Sequence, residues 1–239
     1  MSKVIAMIPA RLGSKRVKNK NLRLIDGKPL ISYVVETAVE SGIFDEIYIN
    51  SEADIFDDIA KQYNIKFYKR PAYLAEDDKT NDDFAYEFLQ NVECDTLVQL
   101  LSTSPFMSVD DVKSFVDTYK ENNYETLISV KNVQIESIYD GTPINFNQKE
   151  ITPPSQDLKP IQAYACGLMA WDKERYIENM KKFNSAYHGG DGRTGFYELD
   201  GYATVDIDTE DDFRLAEVIH NHLSTNYESK PEYYEGSVD

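Results

Sequence analysis

Short apolar runs alternate with amphipathic stretches through the first half of the chain. "KVIAMIP" is continuous and branched, which predicts a buried strand. "PLISYVVETAVESG" then spaces Ile31, Val34, Val35, Ala38 and Val39 along one helical face, opened by Pro29 and closed by Gly42. "EIYIN" predicts a strand, and "ADIFDDIAKQY" a helix with Ile55, Ile59 and Ala60 inward. "IKFYKR" reads as a strand, and "TNDDFAYEFLQNV" as a helix behind a Thr or Asx cap. "DTLVQLL" is a strand, "SVDDVKSFVDTYKENN" a helix with a Ser cap and an acidic first turn, and "ETLISVK" another strand. Alternation at this spacing predicts a parallel sheet with helices on both faces. Such sheets bind ligands beyond the carboxyl ends of their strands, so the motifs there carry the chemistry.

Residues 132–162 break the rhythm, with four prolines and little helical periodicity, and fit either an extended arm or an inserted lobe. "AYACGLMAW" resumes a buried strand, followed by a helix in "KERYIENMKKF". "GFYEL" and "YATVDI" read as strands, and "TEDDFRLAEVIHNHL" as a capped terminal helix. Residues 1–223 are thus expected to form one domain, with 224–239 as a flexible tail that lacks apolar periodicity.

Composition narrows the possible partners. The 239 residues are 41% apolar, and no run approaches the roughly 20 apolar residues of a membrane span. The net charge of −17 argues against a nucleic-acid surface and against anionic membranes. The opening apolar run is short and its basic residues follow it, the reverse of a signal peptide. Cys94 and Cys166 sit in or beside apolar strands, as expected of core thiols in a reduced, cytoplasmic protein. No spacing of His and Cys predicts a zinc site.

Against this acidic background, residues 1–25 hold seven Lys or Arg and no Asp or Glu. The loop after the first strand carries Gly13 and Ser14 among Arg11, Lys15, Arg16, Lys18 and Lys20. Its backbone N–H groups and cations can cradle phosphate oxygens; a solvated basic loop has the same composition. It matches neither the Walker pattern nor G-x-G-x-x-G. In "VDIDTEDDF", Asp206 and Asp208 alternate with Ile207, so both carboxylates share one face of an extended segment. That pairing suits Mg²⁺, which takes few protein ligands; capping and solvation use the same residues. "LLSTSPF" places Ser102, Thr103 and Ser104 at a strand end, where hydroxyls bind a polyol or phosphate, or simply turn the chain into a helix.

Taken in order, "IPARLGSKRVKNKNL", "RPAYLA", "STSPF" and "DIDTEDDF" resemble the cytidylyltransferases that activate 3-deoxy-ulosonic acids. That family includes the acylneuraminate (CMP-sialic acid), legionaminic and pseudaminic acid enzymes. The resemblance runs from about Val4 to Leu223. It implies an α/β Rossmann-like nucleotidyltransferase sheet and a homodimer joined by an arm within residues 132–165. It also implies CTP, Mg²⁺ and an acidic sugar, with pyrophosphate released and a CMP-sugar formed. Arg11, Lys20 and Asp208 take the catalytic positions. Ala10, Arg11, Gly13, Ser14, Lys15, Asn21, Arg70 and Thr80 take nucleotide-binding positions, Arg70 on the cytosine side with Thr80 or Asn81 beside it. Asp206 and Asp208 match the metal carboxylates, and Ser102, Thr103 and Tyr164 face the acceptor.

The chain departs from the sialic acid pattern at the acceptor side. Leu101 and Met107 replace the Gln and Arg of "QPTSPLR", and "YACG" (Tyr164 to Gly167) stands where "R-x-N-G" is usual. Those polar partners of a sugar acid are missing, so the acceptor stays open: another ulosonic acid, a phosphonate, or no acceptor at all in a nucleotide-binding regulator. His188 and Arg193 in "YHGGDGRTGFYEL" are candidate replacements, in a segment that equally fits a mobile loop.

Overall fold

Alternation along the first strand, β1 (Val4–Pro9), sends Val4, Ala6 and Ile8 to one face of a sheet and Ile5 and Met7 to the other. The computed structural model describes residues 2–225 and 233. After β1 come a basic loop, the short hairpin β2 (Leu24–Ile25) and β3 (Lys28–Pro29), and helix α1 (Leu30–Ser41), which ends on Gly42 in the left-handed region. Then follow β4 (Glu46–Ser51), α2 (Ile55–Gln62), β5 (Lys66–Lys69), α3 (Asn81–Asn91), β6 (Thr96–Leu100), α4 (Val109–Glu121) and β7 (Thr126–Val133). The second half holds the hairpin β8 (Ile138–Tyr139) and β9 (Thr142–Pro143), β10 (Ile161–Asp172), α5 (Lys173–Phe183), β11 (Thr194–Glu198) and α6 (Glu210–Ser224). Among the described residues no helix is long and apolar enough to cross a membrane.

Seven strands form the central sheet in the order β11-β7-β10-β6-β1-β4-β5. Ile31, Val34, Phe56 and Phe115 from α1, α2 and α4 cover one face; Phe88 and Tyr176 from α3 and α5 cover the other. The predicted helices on both faces are therefore present. The predicted parallel pairing holds at every junction of the sheet except those of β10, which runs antiparallel to β6 and β7. The cause is the connection. No crossover helix follows β7. The chain leaves the carboxyl end of β7, makes an irregular excursion, and returns at the same edge, so the next strand must run back. Within that excursion, Asp140 and Gly141 both have positive φ and turn the β8–β9 hairpin.

Three local expectations shift. Val39 lies at the rim of the α1 stripe and is exposed. Ile55 begins α2 and is exposed, while the neighbouring Phe56 takes the buried position. "YATVDI" is not a strand: Gly201–Thr204 form a 3-10 turn, and the chain then crosses to Thr103, whose carbonyl accepts from the Ile207 N–H at 2.9 Å. Of the predicted tail 224–239, residues 226–232 and 234–239 lie outside the described residues.

At Gly195 on β11, a Cβ would stand 2.5–2.7 Å from ring atoms of Tyr124. Gly195→Ala is expected to cost about 1–3 kcal/mol through overpacking and to lower the melting temperature by about 3–10 °C, read by calorimetry.

Candidate functional site

A small apolar core apart from the two faces of the sheet builds the site. Val17 of the basic loop, Ile25, Leu30, Ile207, Phe213 and Ala216 are buried together. Ile207 is fully buried, so its neighbours Asp206 and Asp208 are held beside the loop that contains Val17. Thr209 and Asp212 then form a capping box that starts α6, with Asp212 also accepting from the Asp208 N–H at 3.0 Å.

The two ends of the chain thus meet. Arg16 Nη2 lies 2.8 Å from Asp208 Oδ1, and Lys20 Nζ lies 3.3 Å from the same oxygen. Lys20 also donates to the Ile207 carbonyl. Its side chain is largely buried, which restrains the ammonium group. On the far side of the loop, Arg11 and Lys15 both pair with Asp77. The Lys15 ammonium, with Arg11 behind it, holds the Asp77 carboxyl below the usual range.

The loop is tied to the sheet edge by buried polar contacts. Asn21 donates from Nδ2 to the Arg11 carbonyl at 3.2 Å and accepts from the Ser102 hydroxyl at 2.6 Å. Glu52, directly after β4, accepts from the Leu12 N–H and from Arg70 Nη2, each at 2.9 Å. Arg70 Nη2 also donates to the Ala10 carbonyl at 3.1 Å. Arg70 is buried, its Nε has no partner, and Phe84 lies 5.2 Å from its guanidinium carbon. Desolvation lowers its pKa, opposed by Glu52. No atom stands within 4 Å of a Cβ built on Gly13, so the loop backbone is open to a ligand there.

These residues enclose a cleft of about 230 Å³. Its walls are Pro9 and Ala10 at the end of β1, loop residues from Arg11 to Asn21, Arg70 with Phe84, and Leu101 to Thr103 at the end of β6. Asp206 and Asp208 stand behind its basic side through Arg16 and Lys20. Asp206 reaches solvent at its surface but is crowded by protein on its other sides. That partial desolvation raises its carboxyl pKa; the Asp208 charge adds to the rise and the Thr103 hydroxyl opposes it. Among the described residues no group of three or more His, Cys, Asp and Glu forms a metal site. Two carboxylates sharing one face remain, a donor set that suits a Mg²⁺ ion keeping water and phosphate ligands.

Ala10, Arg11, Ser14, Lys15, Lys20, Asn21, Arg70, Ser102 and Thr103 are thus brought to one cleft. Thr80 caps α3 in a reciprocal box with Asp83 and is not among the residues lining it. Tyr164 lies at the start of β10, where its hydroxyl meets His188 Nδ1 at 3.2 Å. Arg193 instead stacks on Tyr124 at 5.2 Å. Glu52, Phe84 and Asp77 were not expected. An acid directly after a strand was a readable signal for Glu52, whereas Phe84 and Asp77 arrive through tertiary packing alone.

The sequence pattern of the family described as "Cytidylyltransferase" matches residues 5–150. The chain is 29% identical over 250 residues to N-acylneuraminate cytidylyltransferase of Streptococcus agalactiae serotype V, covering 98% of this chain and 58% of that protein. It is 28% identical over 244 residues to pseudaminic acid cytidylyltransferase of Campylobacter jejuni, covering 95% and 99%. It thus spans little more than half the length of the first relative and nearly all of the second. A solved structure of CMP:2-keto-3-deoxy-manno-octonic acid synthetase complexed with CTP shares the fold, at a TM-score of 0.70 and 17% identity over 93% of this chain and 100% of that one. A basic loop tied to the first strand, an acid pair returned to it from the far end of the chain, and a family match across more than half of the sequence agree: this chain belongs to the cytidylyltransferase family.

Proposed function

We propose that this protein is a CTP-dependent cytidylyltransferase that joins CMP to a 3-deoxy-ulosonic acid resembling a sialic acid, with release of pyrophosphate. The carrying observation is the meeting of Arg16 and Lys20 with Asp208, 2.8 and 3.3 Å apart, at the edge of the cleft. The names of the acylneuraminate and pseudaminic acid relatives support the acceptor class.

In this reading Arg70 and Phe84 receive the base, and Asn21, locked by Ser102, holds the loop in place. Arg11, Lys15 and Lys20 exchange their carboxylate partners for phosphate oxygens and neutralise charge growing on the departing pyrophosphate. Asp206 and Asp208 would hold a divalent cation, which when bound polarises the phosphoryl oxygens. One of the two carboxylates would take the proton of the attacking hydroxyl. Ser102 and Thr103 border the acceptor side, with Tyr164 beyond them. The free thiols Cys94 and Cys166 fit a reduced, cytoplasmic setting. Burial pushes the Cys94 thiol up to about 11, so it stays protonated and unreactive.

Two copies pair through the excursion between β7 and β10, in this reading. Ile135, Ile138, Tyr139, Ile144 and Ile151 are all exposed there, and a second apolar-lined cavity of about 500 Å³ lies beside them. Such a patch is costly to leave in water.

The central test is pyrophosphate release with CTP, Mg²⁺ and a panel of 3-deoxy-ulosonic acids; an enzyme silent with all of them and unable to bind CTP would contradict the reading. Arg11→Ala is expected to lower turnover about 10²–10³-fold with little change in CTP-over-UTP preference, and Arg70→Ala to erode that preference. Competing-nucleotide kinetics separate the two outcomes.

Asp206→Asn gives a test independent of turnover. An acid held above its ordinary pKa destabilises the fold when ionised. The cost is absent below the ordinary carboxylate range and complete above the folded-state value. The variant is therefore expected to melt higher than the parent at pH 7, with the gap closing in acid. Added Mg²⁺ with CTP should raise the parent's melting temperature more than the variant's. Ile138→Asp combined with Tyr139→Ser is expected to yield monomers in light scattering.

A further inference from the structure

A carboxylate beside a triphosphate site repels the ligand unless it can trade its cation for a phosphate group. Asp77 and Asp208 can make that trade, because the cations they pair with are the ones offered to the phosphates. Glu52 cannot. It is the first residue after β4, and its side chain is 14% exposed. Its Oε1 accepts from the Leu12 N–H and its Oε2 from Arg70 Nη2, each at 2.9 Å. The Arg70 side chain is only 3% exposed. Burial lowers the Arg70 pKa, and Glu52 is the main charge opposing that fall. Releasing Glu52 would leave a buried guanidinium without its counter-charge, so this acid stays where it is when a ligand arrives.

The two partners of Glu52 serve opposite ends of a nucleotide. Both hydrogens of Arg70 Nη2 are committed, one to Glu52 and one to the Ala10 carbonyl at 3.1 Å, so the guanidinium is held against turning. Its Nε is buried and unpartnered, a donor left over for the base. Leu12 opens the basic loop. Its carbonyl accepts from the Ser14 N–H at 3.0 Å, and the Arg11 carbonyl accepts from Asn21 at 3.2 Å. The strand ends below are also joined: the Ala10 N–H donates to the Asn50 carbonyl at 3.0 Å, and the Arg70 N–H to the Ser51 carbonyl at 3.1 Å. One carboxylate, one oxygen to each side, thus bridges the arginine of the base side and the backbone of the phosphate side.

We propose that Glu52 is a positioning residue that couples the two ends of the nucleotide: a base held by Arg70 fixes the carboxylate, which fixes the Leu12 N–H and with it the loop that meets the phosphates. The proposal rests on the cytidylyl-transfer reading above and deepens it. Coupling of this kind is reciprocal, so phosphate on the loop tightens the grip on the base by the same factor. An amide cannot replace the carboxylate. It keeps one acceptor oxygen and turns the other into a donor facing an N–H, so one of the two bonds is lost. A merely structural Glu52 would give another pattern. Its loss would weaken base and phosphate binding separately and leave their coupling as it was.

The test splits the nucleotide into cytidine and pyrophosphate and uses the full chain with Mg²⁺. Calorimetry should show that saturating cytidine lowers the pyrophosphate Kd about fivefold in the wild type, and less than twofold in Glu52→Gln. A second measurement needs no variant. Cytidine alone, which carries no phosphate, should slow amide hydrogen exchange in the 11–14 segment at least threefold. A wild type that binds neither cytidine nor CTP removes the cytidylyl-transfer reading and this proposal with it. A wild type that binds CTP but is indifferent to cytidine in both measurements overturns this proposal alone, as does a folded Glu52→Gln variant that keeps the full fivefold.

Discussion

The site depends on burying one isoleucine. Ile207 sits between two aspartates, and its only apolar refuge is the small core that Val17 enters from the basic loop. Taking Ile207 out of water contributes on the order of 2–3 kcal/mol, more than an exposed ion pair offers. The apolar contact therefore anchors the acidic segment, and the charges follow it. Lys20, largely buried against the same segment, then faces Asp208 with little freedom to turn away. A long-range electrostatic site is in this sense positioned by packing.

What the sequence made readable follows from how local each cause is. Period and capping are local, so β1, β4, β5, β6 and β7 and the caps at Thr80, Ser108 and Thr209 could be read directly, while the two-residue strands β2 and β3 were too short to show a period. The reversal of β10 was hidden, because its own residues look like any buried strand; direction is set by where the preceding excursion returns. Val39 and Ile55 failed for a similar reason. An apolar stripe gives a helix face only to within one residue, and the neighbours decide the rim. "YATVDI" has strand composition, but Gly201–Thr204 close into a 3-10 turn and the burial of Ile207 in the small core draws the rest across to Thr103.

The site itself divides in the same way. Arg11, Lys15, Lys20 and the aspartate pair stood out because positive charge is rare in this chain and concentrated in one loop. Phe84 and Asp77 carried no such contrast, and Glu52 only its place directly after a strand: acids are common here, and aromatics at helical spacing usually mean core. Their roles come from distant partners, Arg70 and Leu12 for Glu52, and Arg11 and Lys15 for Asp77. Arg193 shows the converse. Its charge drew notice, yet its guanidinium is spent on Tyr124 and its N–H on Glu125.

The backward course of β10 has a mechanical consequence. Its first residues continue straight out of the excursion, and within a few positions they supply Tyr164 and Cys166. The basic loop hangs from a different anchor, the joint of Val17 and Ile207. A push on the excursion therefore runs along β10 to Gly167, whose carbonyl holds the Leu101 N–H, and two residues on Thr103 holds the Ile207 N–H. Two backbone hydrogen bonds, three residues of rim between them, thus tie the excursion to the joint that anchors the basic loop.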